Sequence, residues 1–272
     1  MALFTIFGST GFIGAEVVKQ LKNQGHEIIT PNRGDTSILS RHLGIVIYCA
    51  GYGDCIQNPL NVLEANTTLL AQISEHANFE RLVYLSSTRV YMGVETTSEN
   101  TDLKVLDGDQ RRLFNLTKLV SEELLLKSKK DVLIIRPSNV YGLALNSPLF
   151  LPAITRSAIQ NGHIDMFVNP EYTKDYVSVT DVAYYTLKLA LKGNLQNRVF
   201  NIASGKNTSA EDISKVLVCE TGCEVKWHPN ECDDKFFEID ISNIQSELTY
   251  NPRGVLEDLV DMVRDFKKSL QC

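Results

Sequence analysis

A chain of 272 residues with 43% hydrophobic and 22% charged residues has globular composition and enough length for one large core and a smaller lobe, which excludes a disordered or fibrous chain. A formal net charge of -6 argues against a nucleic-acid partner, since phosphate backbones require a basic surface, and no apolar run is long enough to span a bilayer. The cysteines (Cys49, Cys55, Cys219, Cys223, Cys232, Cys272) lack a second Cys/His pair at metal-like spacing and read as free thiols of a reducing cytoplasm.

Strand-like and helix-like segments alternate from the start. Leu3–Phe7 is a short apolar run without the basic flank of a signal peptide, and it reads as a first strand. Gly14–Asn23 carries helical spacing through Val17, Val18 and Leu21, and Glu27–Thr30 reads as a second strand. Ile45–Cys49 is a third, apolar and β-branched as a strand covered on both faces must be. A helix over Val62–Ala77, a strand over Arg81–Leu85, a helix over Leu113–Lys127 and a strand over Val132–Ile135 follow. Such alternation indicates βαβ units, hence an α/β fold with a doubly wound parallel sheet over residues 1–142. Beyond Gly142 the prolines Pro148, Pro152 and Pro170 break the chain, so residues 143–272 read as a smaller C-terminal substrate-binding lobe. Residues 175–203 are expected to return to the sheet, with a helix at Val182–Leu191 and a strand at Val199–Ala203.

The first strand runs into Gly8-Ser9-Thr10-Gly11-Phe12-Ile13-Gly14, directly before a helix. A tight turn there brings backbone N–H groups of Thr10 to Gly14 against a pyrophosphate, at a helix N-terminus whose dipole favours the anion. Glycines are needed where a side chain would collide with the ligand. The setting between an apolar strand and an amphipathic helix makes this a Rossmann-like dinucleotide site. At the end of the second strand, where NAD sites usually hold a carboxylate, stand Asn32 and Arg33. A guanidinium can pair with a 2′-phosphate that a carboxylate would repel, so NADP is expected, with NAD the alternative.

Several further motifs together resemble the extended short-chain dehydrogenase/reductase family, the NAD-dependent epimerase/dehydratase group. Gly8, Gly11 and Gly14 have its glycine spacing, and Val46–Gly51 is similar to its third-strand end, with Ala50 and Gly51 beside the cofactor. Ser86–Tyr91 resembles "SSxxVYG", which implies Ser87 as a catalytic residue with Thr88 and Tyr91 near the substrate. Arg136–Gly142 matches "RPxNVYG", which implies Pro137 at the cofactor and Asn139 at the substrate. Lys174–Val177 with Asp181–Ala183, and Asp240–Asn243 with Leu248–Pro252, continue the likeness, and Asn66 takes a structural asparagine position. The histidines form no cluster.

The family signature Y-x-x-x-K implies a tyrosine that exchanges the substrate proton and a lysine that lowers its pKa and holds the nicotinamide ribose. Here the segment is Phe114-Asn115-Leu116-Thr117-Lys118: the lysine is present and the tyrosine position holds phenylalanine. Three readings are open: an engineered variant made to trap a ligand, a natural member using Tyr91, Ser87 or Thr88 instead, or a natural non-catalytic NADP-binding protein. The first is preferred because Ser87, Lys118, Pro137 and Asn139 are all retained.

The resemblance implies a nucleotide-linked sugar as substrate. Family dehydratases carry Asp-Glu directly after the catalytic Thr, whereas this chain has Thr88-Arg89 there, and Arg89 cannot act as an acid or base. Keto-sugar reduction is the preferred reaction, with 4-epimerisation as the alternative. Arg156, Lys174, Lys226 and Arg253 are the candidate cations for the pyrophosphate, and Pro229–Lys235 lacks the family's arginine. The apolar stripe Leu113, Leu116, Val120, Leu124, paired in the family with the helix around Leu69–Ile73, implies a homodimer.

Overall fold

The computed structural model describes residues 1–147, 149–228 and 235–270. Cys232, Cys272 and Pro148 therefore lie outside the described residues, as does 229–234 of the segment lacking the pyrophosphate arginine; the described Cys49, Cys55, Cys219 and Cys223 are free thiols.

Strand β1 (Leu3–Phe7) lies between β2 (Glu27–Ile29) and β3 (Ile45–Tyr48), and its Phe4 and Ile6 are fully buried. Helix α1 (Phe12–Asn23) covers this strand with Val17 and Leu21, the positions its periodicity marks as apolar. The next helix begins one turn earlier than its hydrophobic pattern suggests. Pro59, whose missing N–H costs nothing at a helix start, opens α2 (Pro59–Leu63), which passes through a single π turn at Glu64–Thr68 into α3 (Leu69–His76). The π turn carries the buried Asn66, whose side chain binds both the N–H and the carbonyl of Tyr52 at 3.1 and 3.2 Å. That bond pair holds the loop after β3 in place.

β4 (Arg81–Leu85), α4 (Arg112–Lys127) and β5 (Val132–Pro137) continue the alternation. The chain then leaves the sheet through β6 (Asn139–Tyr141), α5 (Phe150–Gln160), β7 (His163–Met166) and β8 (Thr173–Ser178). It returns through α6 (Val179–Leu191) and β9 (Val199–Ile202), where β9 pairs with β5. The large sheet has the order β2-β1-β3-β4-β5-β9 and is parallel throughout. Its last strand thus comes from beyond residue 142. The returning segment is shorter than 175–203, because β8 pairs with β6 and β10 (Asn207–Ser209) in a separate three-stranded sheet.

The C-terminal lobe adds α7 (Ala210–Thr221), β11 (Glu224–Trp227) alongside β7, α8 (Ser242–Glu247) and α9 (Val255–Leu270). Ile154 of α5, Leu217 of α7, and Leu259 and Phe266 of α9 form its own apolar core. Since the large sheet is parallel, β1, β3, β4 and β5 all end on one edge. β1 has neighbours reached by connections running in opposite directions, which opens the crevice where ligands of such sheets bind.

Candidate active site

The three loop glycines serve different ends. Gly8 has φ +77°, and a Cβ there would lie 2.6 Å from the Ala50 nitrogen; a Cβ on Gly14 would lie 2.1 Å from the Gly8 oxygen. Both are required by close approach of the chain to itself. A Cβ on Gly11 would meet only the Gly8 oxygen, at 3.3 Å, so its outward side is open. No side chain caps α1, and its first turn holds no acidic residue. The first-turn N–H groups, including those of Phe12, Ile13 and Gly14, therefore form a donor set of the kind that accepts a pyrophosphate. The Phe12 ring closes against Gly142, where a Cβ would come within 3.1 Å of it. The cradle fits a dinucleotide.

At the end of β2, Asn32 and Arg33 are exposed, and Arg33 Nη2 donates to Asn61 Oδ1 at 3.4 Å. The nearby Asp35 carboxylate is turned instead to the N–H and hydroxyl of Ser37. Across the crevice, Ala50 and Gly51 follow β3, and a Cβ on Gly51 would sit 3.2 Å from Asn66 Oδ1 and 3.7 Å from Lys118 Nζ.

Lys118 and Phe114 share one face of α4, as their spacing demands. Lys118 is buried; its Nζ donates to the Leu85 carbonyl at 2.8 Å and lies 4.7 Å from the centre of the Tyr84 ring. Burial pushes its ammonium down to about 8, despite the opposing pull of Glu122. The Phe114 ring lies 5.6 Å from the same Nζ. Its other neighbour is the Arg111 guanidinium, 4.5 Å from the ring centre. Ser87 caps the short turn Thr88–Tyr91 by accepting the Arg89 N–H at 3.1 Å. An ionisable hydroxyl one turn from Lys118 is what this arrangement lacks.

Tyr91 does not supply it. Its hydroxyl donates to Asn201 Oδ1 at 2.9 Å and accepts from Arg136 Nη1 at 2.7 Å, and burial pushes its pKa up to about 12. The Tyr91 hydroxyl is thus engaged on both sides, and the residue lines the cleft. Behind it, Arg136 and Glu122 form a buried ion pair at 2.5 Å, 4% and 3% exposed, to which Ser86 adds a hydroxyl donor. The pair ties β5 to α4 directly beneath the site.

The cleft between the sheet edge and the C-terminal lobe brings together Ser87, Thr88, Tyr91, Asn139 and Lys174. Asn139 is held by donating to the Asp175 carbonyl at 2.8 Å, and Lys174 lies over the rings of Tyr172 and Phe236 at 4.9 and 4.6 Å. Pro137 ends β5 on the same edge of the sheet. Arg156 is not among the lining residues, and its Nη1 donates to the carbonyls of Leu145 and Ser147. Arg253 pairs with Asp258 at 2.6 Å, and Lys226 lies on β11 outside the cleft lining. The cations that do line it, besides Lys174, are Arg89, Arg111 and Lys235. Arg111 stands three residues before Phe114, at the N-cap of α4, so its nearness to the Phe114–Lys118 segment is legible in the sequence; nothing in the sequence around Lys235 marks it.

A sequence model of the NAD dependent epimerase/dehydratase family matches residues 4–203. The chain belongs to this family. A putative UDP-glucose 4-epimerase of Methanocaldococcus jannaschii is 23% identical over 312 aligned residues, covering 98% of this chain and 99% of that protein. The dTDP-4-dehydro-6-deoxy-D-allose reductase of Streptomyces bikiniensis is 20% identical over 80% of both chains. Among solved structures, a tyrosine-to-phenylalanine mutant of the Bacillus cereus UDP-glucuronic acid 4-epimerase, bound to UDP-4-deoxy-4-fluoro-glucuronic acid and NAD, superposes with a TM-score of 0.84 at 19% identity, covering 98% of this chain and 99% of that one. As a family of nucleotide-sugar epimerases, dehydratases and reductases that use NAD(P), it accounts for the glycine cradle and for Lys118. No helix among the described residues is long and apolar enough to cross a membrane.

Proposed function

We propose that the chain is an NADP-binding keto-sugar reductase acting on a nucleotide-linked sugar, in a form that lacks the proton-transferring hydroxyl at position 114. The observation that carries this reading is the retained set around Phe114: Lys118 in hydrogen-bonding contact with the end of β4, Ser87 at the following turn, and a glycine cradle open at Gly11. The cofactor, when bound, supplies the hydride. Lys118 would hold the nicotinamide ribose, Ser87 would orient the sugar carbonyl oxygen, and Asn139 with Lys174 would hold the remainder of the substrate. Proton delivery to that oxygen is the step Phe114 cannot perform. Arg89 after Thr88 leaves no acid/base pair for dehydration.

The second reading, 4-epimerisation, is supported by the name of the M. jannaschii relative that aligns along nearly all of the chain. Coenzyme absorbance separates the two. A reductase consumes NADPH in proportion to product, whereas an epimerase interconverts sugars with no net change in coenzyme. Arg33 supports NADP over the NAD seen in the B. cereus protein. A charge-assisted contact to a 2′-phosphate corresponds to about tenfold or more in affinity, so NADPH is expected to bind that much more tightly than NADH, with Arg33→Ala erasing the gap. Equal affinities for the unmodified chain in a calorimetric titration would leave NAD as the cofactor.

A homodimer is supported by an exposed apolar face. Leu116, Val120 and Leu124 of α4 are 38%, 54% and 41% exposed, and Leu60 and Leu63 of α2 are exposed as well. On the neighbouring helices the exposed apolar residues belong to α2, while Leu70 and Ile73 of α3 are buried against the sheet. A single monomeric species in sedimentation velocity at micromolar concentration would refute the dimer. The free thiols among the described cysteines accord with a reducing cytoplasm.

A further inference from the structure

Two arginines line the cleft, one of them over the ring at the tyrosine position, and Asp109 is bonded to both residues. Arg89 enters from the turn after Ser87 and Arg111 from the start of α4; both line the cleft. Asp109 accepts from Arg89 Nη2 at 2.7 Å, from the Arg111 backbone N–H at 2.8 Å and from Asn115 Nδ2 at 2.8 Å. Its oxygens are thereby taken. The Arg111 guanidinium makes no hydrogen bond or ion pair among the described residues and rests over Phe114 at 4.5 Å. Arg89 Nε is buried without an acceptor.

Among the described residues Asp109 is the carboxylate set against this pair, and it is bonded to the Arg89 side chain rather than to the Arg111 guanidinium. Arg111 stands at the N-cap of α4, where the helix dipole disfavours a cation, and the first turn of α4 holds no acidic residue. Arg112, next to it, has Asp107 as its own partner. Across the cleft mouth, a Cβ on Gly53 would lie 3.2 Å from Arg111 Nη2, so the glycine leaves the guanidinium its space. The one carboxylate among the described lining residues, Asp175, is buried and filled by Ser138, Ser204 and Gly205 donors at 2.5 to 2.9 Å. In a chain of net charge -6, the described lining of this cleft carries four cations against one buried carboxylate.

We propose that Arg111, with Arg89, reads a carboxylate on the sugar, so that the substrate is a nucleotide-linked uronic acid; this rests on the nucleotide-sugar reading above. The tyrosine position marks the reacting carbon. With reaction at C4, the neighbouring carbon whose substituent can carry a charge is C5. In a hexose that substituent is a neutral hydroxymethyl group, and in a uronic acid it is a carboxylate that can accept two parallel N–H bonds from a guanidinium. Lys174 and Lys235 line other parts of the same cleft.

Calorimetric titration of the coenzyme-saturated chain with UDP, UDP-glucose and UDP-glucuronic acid tests this. UDP-glucuronic acid is expected to bind about tenfold or more tightly than UDP-glucose, the scale of a hydrogen-bonded charge pair. Arg111→Met keeps an apolar stem over the ring; it is expected to bring the uronate down to the level of the neutral sugar, with affinities for UDP and coenzyme unchanged. Equal affinities of the two sugars for the unmodified chain, or an Arg111→Met loss shared equally by both sugars and UDP, would overturn the carboxylate while leaving a nucleotide-sugar ligand in place. Failure of all three probes to bind a chain that holds coenzyme would overturn both readings.

Discussion

Phe114→Tyr is expected to raise turnover of a nucleotide-linked 4-keto sugar by about 10²-fold or more, the scale of a positioned acid/base group. The substitution adds one oxygen to a ring already placed 5.6 Å from Lys118 Nζ and 4.5 Å from the Arg111 guanidinium. Both cations favour the phenolate, so the new hydroxyl is expected to titrate below the ordinary tyrosine value. Coenzyme affinity is expected to stay constant, because the glycine loop and Lys118 are untouched. NADPH absorbance and product analysis for epimers provide the measurement. If the tyrosine variant binds coenzyme and sugar normally yet turns over no faster than the Phe114 chain, the trapped-enzyme reading fails. Activity of the Phe114 chain itself would then direct attention to Ser87 and Thr88, since the Tyr91 hydroxyl is bound to Asn201 and Arg136.

Arg136→Met is expected to cost about 3–5 kcal/mol of stability, because it strands the Glu122 carboxylate in the interior. Arg136 meets Glu122 through Nε at 3.1 Å and Nη2 at 2.5 Å, and both side chains are almost wholly buried. The double variant Arg136→Met with Glu122→Leu is expected to recover most of the loss, since an apolar pair of similar volume leaves no uncompensated charge. Urea unfolding of the three proteins measures this. A single-variant loss below about 1 kcal/mol would mean that Glu122 finds another partner or is protonated in the folded state.

The sequence by itself determined the features that are local. Gly8 to Gly14 between an apolar strand and an amphipathic helix specify the dinucleotide turn, because left-handed backbone and close chain approach leave glycine as the residue that fits. The spacing of Phe114 and Lys118 sets both on one helix face, and β4 and α4 fall within a residue of where periodicity puts them, since burial on one side writes a repeat into the chain. The tertiary structure decided what depends on distant partners. Strand β9 joins β5 while β8 is claimed by β6 and β10, a choice of pairing that no strand's own composition encodes, because each is merely apolar enough to be covered. The same limit applies to charge. Arg156, Lys174, Lys226 and Arg253 are alike as residues, yet only Lys174 reaches the cleft, and Arg89 and Arg111 acquire their significance from sharing Asp109 beside the Phe114 ring. Convergence of side chains is set by how helices and strands pack, and a one-dimensional pattern carries their periods but not their meeting points.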